Sequence, residues 1–424
     1  MAASGGSAKI VTAGDQPAAE RAAQRRDEAP AAPSALRVVW IAAALLAAAL
    51  NLRLVLASLS PVLTEVIRDT GISSAEASIL TTAPVLCLGI FGLAAPALAL
   101  RYGVERVIAG LLLVLAMGTA LRGIVSFPAL LVGSILAGAG IGMVGALIPG
   151  VVKRDFPGHV GLMMGVYTTS LCVSAAAGAG LTVPFERRLG GDWAAALAIW
   201  ALPAILAAAI WLPLLRRRDG DGLVNHEVRG LWRDPLAWQV TLYLGLQSSV
   251  AYLVFAWLVP ILRDRGTDAA SAGLVVSLSV MAQGVAALVT PSLIVRRHNQ
   301  STAAAATMAL SLLGVLGWLY TPLDLMWLWA VVQGFGQGAA FAIGLTLVVL
   351  RSPDTLVANR LSSMSQSVGY AVASAGPLLL GILHDWTGDW RTAGPVFVAM
   401  AIAAAAFGIL AGRAAHIRVI VRKR

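Results

Sequence analysis

The chain has 424 residues, of which 58% are hydrophobic and only 12% are charged, and it carries a formal net charge of +10. Soluble domains contain about 25% charged residues, so this composition excludes an ordinary soluble protein and predicts one that resides in a lipid bilayer. The positive charge does not predict a nucleic-acid partner, because it follows the membrane topology set out below.

The chain begins with a polar tail. Residues 1–35 are rich in Ala, Gly, Pro and charged residues and lack the apolar stretch of a secretory signal, so we predict a disordered tail. From Leu36 to Leu410, twelve apolar runs each approach or exceed the roughly 20 residues that cross a bilayer. The sequence therefore predicts an all-α membrane protein with twelve transmembrane helices. Its expected parts are the tail, a six-helix bundle at 36–215, a linker at 216–235, a second six-helix bundle at 236–412 and a basic tail at 413–424.

Positive charges are divided unequally between the two sides of these runs. With the N-terminus inside, 23 Lys and Arg residues fall on the inner side and 6 on the outer side, and only Arg53 and Arg122 lie within runs. The positive-inside rule then predicts that both termini are cytoplasmic.

The second half of the chain repeats the first. The stretch RDTGISSAEASIL from Arg68 recurs as RDRGTDAASAGLV from Arg263 at an offset of 195, and GDW ending at Trp193 recurs as GDW ending at Trp390. Because this offset covers six runs, an even number, both copies enter the membrane in the same direction. The sequence therefore predicts two parallel six-helix repeats, the major facilitator architecture.

Small residues within the runs are interpreted as packing residues. Cys87 and Cys172 have no clustered partner, which predicts no disulfide, no metal site and no cofactor. The glycines of the fourth and tenth runs predict close helix packing, with local flexing as the alternative. They match at an offset of 196 and are Gly138, Gly140, Gly142, Gly334, Gly336 and Gly338.

Polar side chains within the runs are few. The uncharged hydrogen-bonding side chains are Asn51, Gln247, Tyr252, Gln283, Gln333, Gln337, Gln366 and Tyr370. Each is interpreted either as an interhelical hydrogen bond or as a substrate contact. Histidines and acids fall at loops or run ends, with Glu65 nearest to membrane depth, so neither a hydrolase site nor a buried proton site is predicted. Proton coupling, if present, is expected at Glu65, at another peripheral group or through the substrate.

The two arginines within the runs receive different interpretations. Arg53 lies well inside the first run, where an ionised guanidinium costs at least a few kcal/mol, so we expect a functional role. Arg122 lies near the end of the third run, where its side chain can snorkel to the interface, so we expect a structural role. Asn51 is two residues from Arg53 and faces the same cavity only if the helix is irregular there.

Four stretches of the chain resemble the cyanate and nitroimidazole permeases of the major facilitator superfamily. They are NLRLVLASLSPVLTEVIRDTGIS from Asn51, VKRDFPGHVGLMMGVYTT from Val152, GLQSSVAYLVFAWLVPIL from Gly245 and RLSSMSQSVGYAVASAGPLLLGILHDWTGDW from Arg360. The resemblance implies a secondary active transporter of the bacterial inner membrane. Its substrate would be a small anionic or polar solute, such as a cyanate-like anion or a small nitroaromatic, moved by alternating access.

The loop between the second and third runs departs from the superfamily's pattern. PALALRYGVERV has Pro96 and Leu100 where the pattern has glycine and aspartate, and Glu105 is a candidate substitute for the missing acid. We predict gating or structural roles for Arg101, Gly103, Arg106, Arg122, Lys153 and Arg154.

In this architecture, the first, fourth, seventh and tenth helices line the central path. The predicted substrate-binding residues are Arg53, Asn51, Gln247, Tyr252, Gln333, Gln337, Gln366 and Tyr370, with the Arg53 guanidinium suited to a small oxyanion or a planar polar solute. The expected partners are that solute, with or without a coupled proton or counter-ion, and the lipid bilayer; the expected state is a monomer. Alternatives are an exporter of drug-like compounds, a transporter-like sensor and, third, a membrane enzyme.

Overall fold

The computed structural model describes residues 35–216, 227–294, 299–353 and 355–422. The predicted tail before residue 35, linker residues 217–226 and the last two residues of the basic tail lie outside these ranges. Twelve helices of the described residues are long and apolar enough to cross a membrane. This confirms the prediction of twelve spanning helices. The contacts described below lie within Ile41–Arg424, which is compact by itself.

The first repeat contains helices α1 to α6. α1 is built from Ala35–Leu52, Leu54–Ser58 and Leu63–Thr70, with a 3-10 turn at Ser60–Val62. The others are α2 (Ser74–Gly92, followed by a short helix Ala95–Tyr102), α3 (Val104–Leu121), α4 (Phe127–Asp155), α5 (Val160–Arg188) and α6 (Trp193–Ala198 and Ala201–Trp211).

The second repeat contains helices α7 to α12. They are α7 (Pro235–Asp264), α8 (Ala269–Ile294), α9 (Ser301–Tyr320), α10 (Met326–Leu350), α11 (Thr355–Thr387) and α12 (Ala393–Ala411). Short 3-10 turns occupy Leu212–Arg216, Leu231–Arg233, Leu323–Leu325 and Trp390–Thr392. We call the end of the bundle that carries the α1–α2 and α7–α8 turns the distal end, and the end that carries residues 227–234 the linker end.

The same hydrogen bond occurs in each repeat at the distal end. The indole nitrogen of Trp193 donates to Asp69 Oδ2 over 2.9 Å, and that of Trp390 donates to Asp264 Oδ2. These four residues belong to the two repeated stretches found in the sequence. The duplication therefore appears as an equivalent tertiary contact, from the end of α1 to the start of α6 and from the end of α7 to the start of the twelfth span.

The repeated glycines bring helices into close contact. A Cβ atom at Gly138 would lie 2.5 Å from the Cα of Pro84, and one at Gly142 would also overlap the backbone of α2. Gly334 and Gly338 pack in the same way against the backbone of α8. Because only glycine permits these approaches, the close-packing interpretation of the glycine motif is confirmed.

The two repeats are joined at the distal end. Glu65 of α1 and Arg263 of α7 form an ion pair with two N–O distances of 2.7 Å. Asp385 of α11 accepts from the backbone nitrogens of Ser74 and Ala75, at the first turn of α2, over 2.9 and 2.7 Å. The last contact satisfies amide groups that a helix start leaves without a partner.

The linker and the C-terminal tail form a small ribbon at the linker end. β1 (Glu227–Arg229) pairs antiparallel with β2 (Ile420–Arg422), and Val228 lies opposite Val421. The backbone nitrogen of Arg418 also donates to Asp234 Oδ2 over 2.9 Å. This pairing was not predicted, since each strand has only three residues and carries no clear strand pattern.

Candidate substrate-binding site

Helix α1 is interrupted at Arg53. The first segment of α1 ends at Leu52, Arg53 has φ −114° and ψ −16°, and the next segment begins at Leu54. A second irregularity follows at Pro61, which has no N–H to donate to the preceding turn. The break turns the Arg53 side chain toward the second repeat.

The irregularity does not bring Asn51 to the same place. The side-chain nitrogen of Asn51 donates to the carbonyl oxygen of Ala47 over 2.8 Å and to that of Pro203 in α6 over 3.2 Å. Asn51 is buried against α6. The structure therefore separates Asn51 from Arg53, and a hydrogen bond within the first repeat accounts for it.

Arg53 borders a cavity of about 50 Å³ between the two repeats. α1, α5, α7, α8 and α10 contribute its lining, which includes Arg53, Thr168, Cys172, Gln247, Tyr252, Gln283, Gln337 and Phe341. Among the described residues that line it there is no Asp or Glu. The cavity thus has a cationic group, three amide side chains and aromatic walls.

Aromatic side chains flank the guanidinium. The Cζ atom of Arg53 lies 6.0 Å from the centroid of the Tyr252 ring, and Tyr252 meets Tyr370 edge to face with centroids 6.2 Å apart. The Tyr252 hydroxyl is buried and has no hydrogen-bond partner in the protein. It is consequently free to bind a solute in or beside the cavity.

Two of the predicted amides support the cavity wall. The side-chain nitrogen of Gln337 donates to the backbone and side-chain oxygens of Gln247, each over 2.8 Å. Ser311 donates to the side-chain oxygen of Gln337 over 3.0 Å, and the side-chain nitrogen of Gln247 donates to Ser248 over 2.7 Å. These bonds tie α10 to α7 and α9 and fix the polar surface of the wall.

The remaining predicted residues are placed differently. Gln333 lies behind the wall, where its side-chain oxygen accepts from Ser279 of α8 over 2.5 Å. Gln366 is exposed and donates to Ser362 of its own helix over 3.0 Å. Tyr370 contacts Tyr252, as noted above. The structure therefore brings Arg53, Gln247, Tyr252 and Gln337 together with Tyr370 beside them, and leaves Gln333, Gln366 and Asn51 apart.

Helix α5 was missed as a contributor, α8 was represented only by Gln283 among the candidate contacts, and the expectation for the fourth helix is wrong for this cavity. The lining contains Thr168, Cys172, Val280 and Gln283 but no residue of α4 among those described. The glycines of α4 explain this, since they pack against α2. A signal existed in α5: Thr168, Cys172 and Ala175 recur at helical spacing and form one face of small side chains.

Arg122 does not snorkel to the interface, which corrects the sequence-based expectation. It is only 2% exposed, and one guanidinium nitrogen donates to the carbonyl oxygen of Val55 over 2.9 Å. The same carbonyl oxygen also accepts from the Ser58 hydroxyl over 3.1 Å, so Arg122 is bonded to the backbone of α1 inside the bundle.

Apart from Arg122, the residues predicted to have gating or structural roles lie at the linker end. Arg154 Nη2 lies 2.5 Å from Oε1 of Glu105, which is only 2% exposed, and Arg154 also pairs with Asp155. Gly103 has φ 87°, a backbone conformation that favours glycine. Arg101, Arg106 and Lys153 are exposed. Glu105 thus carries an ion pair to the end of α4, while its role in gating stays a prediction.

Comparisons with known proteins agree with this architecture. The family model described as the Major Facilitator Superfamily matches residues 39–264 and 246–419. An uncharacterised transporter of Bacillus subtilis is 35% identical over 380 residues, which are 89% of this chain and 94% of the relative. The 2-nitroimidazole transporter of Escherichia coli is 34% identical over 385 residues, 90% of this chain and 97% of the relative. The cyanate transport protein of Escherichia coli is 31% identical over 344 residues, 80% of this chain and 89% of the relative.

Solved structures share the fold at low sequence identity. A bacterial homologue of the human lysosomal transporter Spinster, in an inward-facing and occupied conformation, superposes with a TM-score of 0.72 and 16% identity, over 88% of this chain and 96% of that one. The D-xylose–proton symporter superposes with a TM-score of 0.69 and 13% identity, over 88% and 97%. With twelve helices in two parallel repeats and a cavity between them, the chain belongs to the major facilitator superfamily of membrane transporters.

Proposed function

We propose that this transporter carries a small solute with a delocalised, oxygen-bearing negative group, and that Arg53 binds that group in the central cavity. The observation that supports this most is a guanidinium at membrane depth in a cavity lined by no described carboxylate. A charge in such a place costs several kcal/mol unless something compensates it. An anionic solute would offset part of that cost.

The chemistry of two relatives' named solutes fits this cavity. Cyanate is a small anion with a terminal oxygen, and the nitro group of 2-nitroimidazole carries partial negative charge on two oxygens. The planar guanidinium offers paired N–H donors for such oxygens. Tyr252, Tyr370 and Phe341 offer faces or edges against which a flat solute can pack.

Uptake by purified protein in liposomes tests the proposal. The half-saturation concentrations for radiolabelled cyanate and for 2-nitroimidazole are measured for the wild type, Arg53→Lys and Arg53→Gln. Hydrogen bonds to a charged group contribute about 1.5–3 kcal/mol, so Arg53→Gln should weaken apparent affinity by roughly 10- to 150-fold, and Arg53→Lys by less. Arg188→Gln, which removes an exposed arginine with no predicted role, is the matched control.

Two outcomes would refute the proposal. One is wild-type half-saturation in a folded Arg53→Gln protein. The other is a wild type that takes up neither solute, which would favour a different substrate class such as larger drug-like compounds. Thermal unfolding of each variant, measured in parallel, separates loss of binding from loss of fold.

We further infer that the protein is a monomer in the bacterial inner membrane and that both its termini are cytoplasmic. We infer that it acts as a transporter and not as an enzyme, and that it uses neither a cofactor nor a nucleic-acid partner. Segments 36–215 and 236–412 would rock against each other, joined by 216–235. The excess of basic residues at the linker end supports this orientation. Reporter tags at the two termini and in the linker would test it, and a linker accessible from outside the cell would contradict it. A coupled proton or counter-ion is compatible with this scheme, with Glu65 as the proton candidate.

A further inference from the structure

Arg122 borders a second cavity, on the distal side of the first. It is small, with a volume of about 20 Å³, and its lining comes from α1, α2, α3, α4 and α7 and includes Val55, Thr81, Arg122, Ser134, Tyr252 and Phe255. Tyr252 and Phe255 also line the Arg53 cavity. The two cavities are therefore neighbours along the direction of transport, with these two aromatic side chains forming the wall between them.

The Arg122 guanidinium is incompletely bonded. One terminal nitrogen donates to the Val55 carbonyl oxygen, whereas the buried Nε has no partner. Among the described residues, none that lines its cavity is a carboxylate. The Tyr252 hydroxyl on the shared wall is likewise buried and unpartnered. Buried polar groups are normally hydrogen-bonded, and a lone buried charge is costly, so this combination requires an explanation.

A second buried arginine shows what a purely structural role looks like in this chain. Arg351 is 4% exposed, and its Nε donates to the carbonyl oxygen of Ala411 over 2.9 Å. Its Nη2 donates to the carbonyl oxygen of Gly412 over 3.0 Å and to the side chain of Gln300. Arg351 thus binds the carbonyl oxygens at the end of α12, as expected for a cation at a helix C-terminus. Arg122 has no comparable set of acceptors.

We propose that Arg122 forms a second anion-binding station, on the distal side of Tyr252 and Phe255. An anion that enters from the distal end meets Arg122 first and passes the aromatic wall to reach Arg53. An anion that enters from the linker end meets Arg53 first. This inference rests on the proposed function, because it takes Arg53 as the central site.

The proposal predicts a one-sided effect on transport. Cyanate uptake is measured in intact cells and in inverted membrane vesicles of a host without its own cyanate transporter, which present opposite ends of the protein to the medium. Arg122→Gln should raise the half-saturation concentration at least about fivefold for entry at the distal end, the loss of one charge-assisted contact. For entry at the linker end, the half-saturation concentration should change less than about twofold. Arg351→Gln should lower the amount of folded protein, but it should not change the half-saturation concentration more for one direction of entry than for the other.

A second variant tests the station while Arg122 is retained. Ser134→Asp places a carboxylate in the lining of the same cavity, where it would pair with Arg122 and compete with the anion. The same one-sided loss is expected from this variant, including if Arg122→Gln does not fold. Equal changes for both directions of entry, or wild-type half-saturation in both variants, would overturn the second station. A wild type that takes up neither cyanate nor 2-nitroimidazole would instead remove the proposed function itself, and a wild type that takes up only 2-nitroimidazole is tested with that solute in the same two preparations.

Discussion

The ion pair between Glu65 and Arg263 is expected to set the balance between the two ends of the bundle. It joins the distal ends of α1 and α7, which belong to different repeats, through two N–O distances of 2.7 Å. Its side chains are only 14% and 23% exposed. Opening the distal end separates these helices and breaks the pair. Glu65→Gln therefore weakens the state seen here relative to the distal-open state.

The size of this effect follows from the burial of the pair. Exposed ion pairs contribute about 0–1 kcal/mol, and removing one partner of a fully buried pair costs about 3–5 kcal/mol. The Glu65–Arg263 pair lies between these two cases and is mostly buried. We therefore expect Glu65→Gln to shift the free-energy difference between the closed and the distal-open state by about 1–3 kcal/mol. Since about 1.4 kcal/mol is a tenfold change in an equilibrium constant, the distal-open population relative to the closed one should rise roughly 5- to 150-fold.

Asp268→Asn provides a matched control at the same end. Asp268 faces Arg187 across the repeats at 3.5 Å, but the two side chains are 56% and 64% exposed. Such an exposed pair contributes little, and asparagine keeps the ability to cap the start of α8. This control variant should shift the equilibrium by less than about 0.5 kcal/mol.

Distances between spin labels in nanodiscs measure the shift. Labels at Leu189 and Trp386, both exposed near the distal end, report separation of the first repeat from the second. Glu65→Gln should increase the population with the longer distance, and Asp268→Asn should not. An unchanged distance distribution in Glu65→Gln, or equal shifts in the two variants, would show that this ion pair does not hold the distal end closed.

Two further predictions concern packing and pH. Gly338→Ala should lower the unfolding temperature, because its Cβ would overlap the Gln283 carbonyl and overpacking costs about 1–3 kcal/mol. In the control variant Gly110→Ala the new Cβ meets no atom within 4 Å, so this change should be neutral or stabilising. Equal unfolding temperatures for the two variants would contradict the close packing of Gly338. Hydrogen bonds from Ser271 are the main cause that lowers the pKa of Asp268 in the folded protein. The ionised carboxylate therefore stabilises the fold above its unfolded pKa of about 3.9, and this contribution is lost as the pH falls through the lower pKa of the folded state. The difference in unfolding temperature between the wild type and Asp268→Asn should stay constant from about pH 5 to 8, and a change within that range would contradict the assignment.

The architecture was predictable because it rests on signals that the chain carries locally. Run length predicts spans, and the repeated RD and GDW stretches predict equivalent structures, which the Trp193–Asp69 and Trp390–Asp264 hydrogen bonds make visible. A functional role for Arg53 could be predicted for a similar reason, since burying a charge deep in an apolar run costs free energy whichever neighbours the helix packs against.

The placement of Arg122 was not predictable from its neighbours in sequence. Its position near a span end favours snorkelling, but its hydrogen bond goes to the carbonyl oxygen of Val55, 67 residues away in the chain. Arg53 and Asn51, two residues apart, likewise face different helices, with Tyr252 of α7 beside Arg53 and Pro203 of α6 beside Asn51. Such contacts depend on how helices meet and not on the periodicity of any one of them.

The most direct test of the Arg53 site is protection of Cys172, which lines the same cavity. In a Cys87→Ala background, the alkylation rate of Cys172 by a small thiol reagent is measured with and without 2-nitroimidazole, in proteins that carry Arg53 or Gln at that position. We expect the solute to slow alkylation when Arg53 is present and to lose this effect in Arg53→Gln at the same concentration. Equal protection in both proteins, or no protection of the wild type at concentrations that saturate its uptake, would contradict binding of the solute by Arg53 in this cavity.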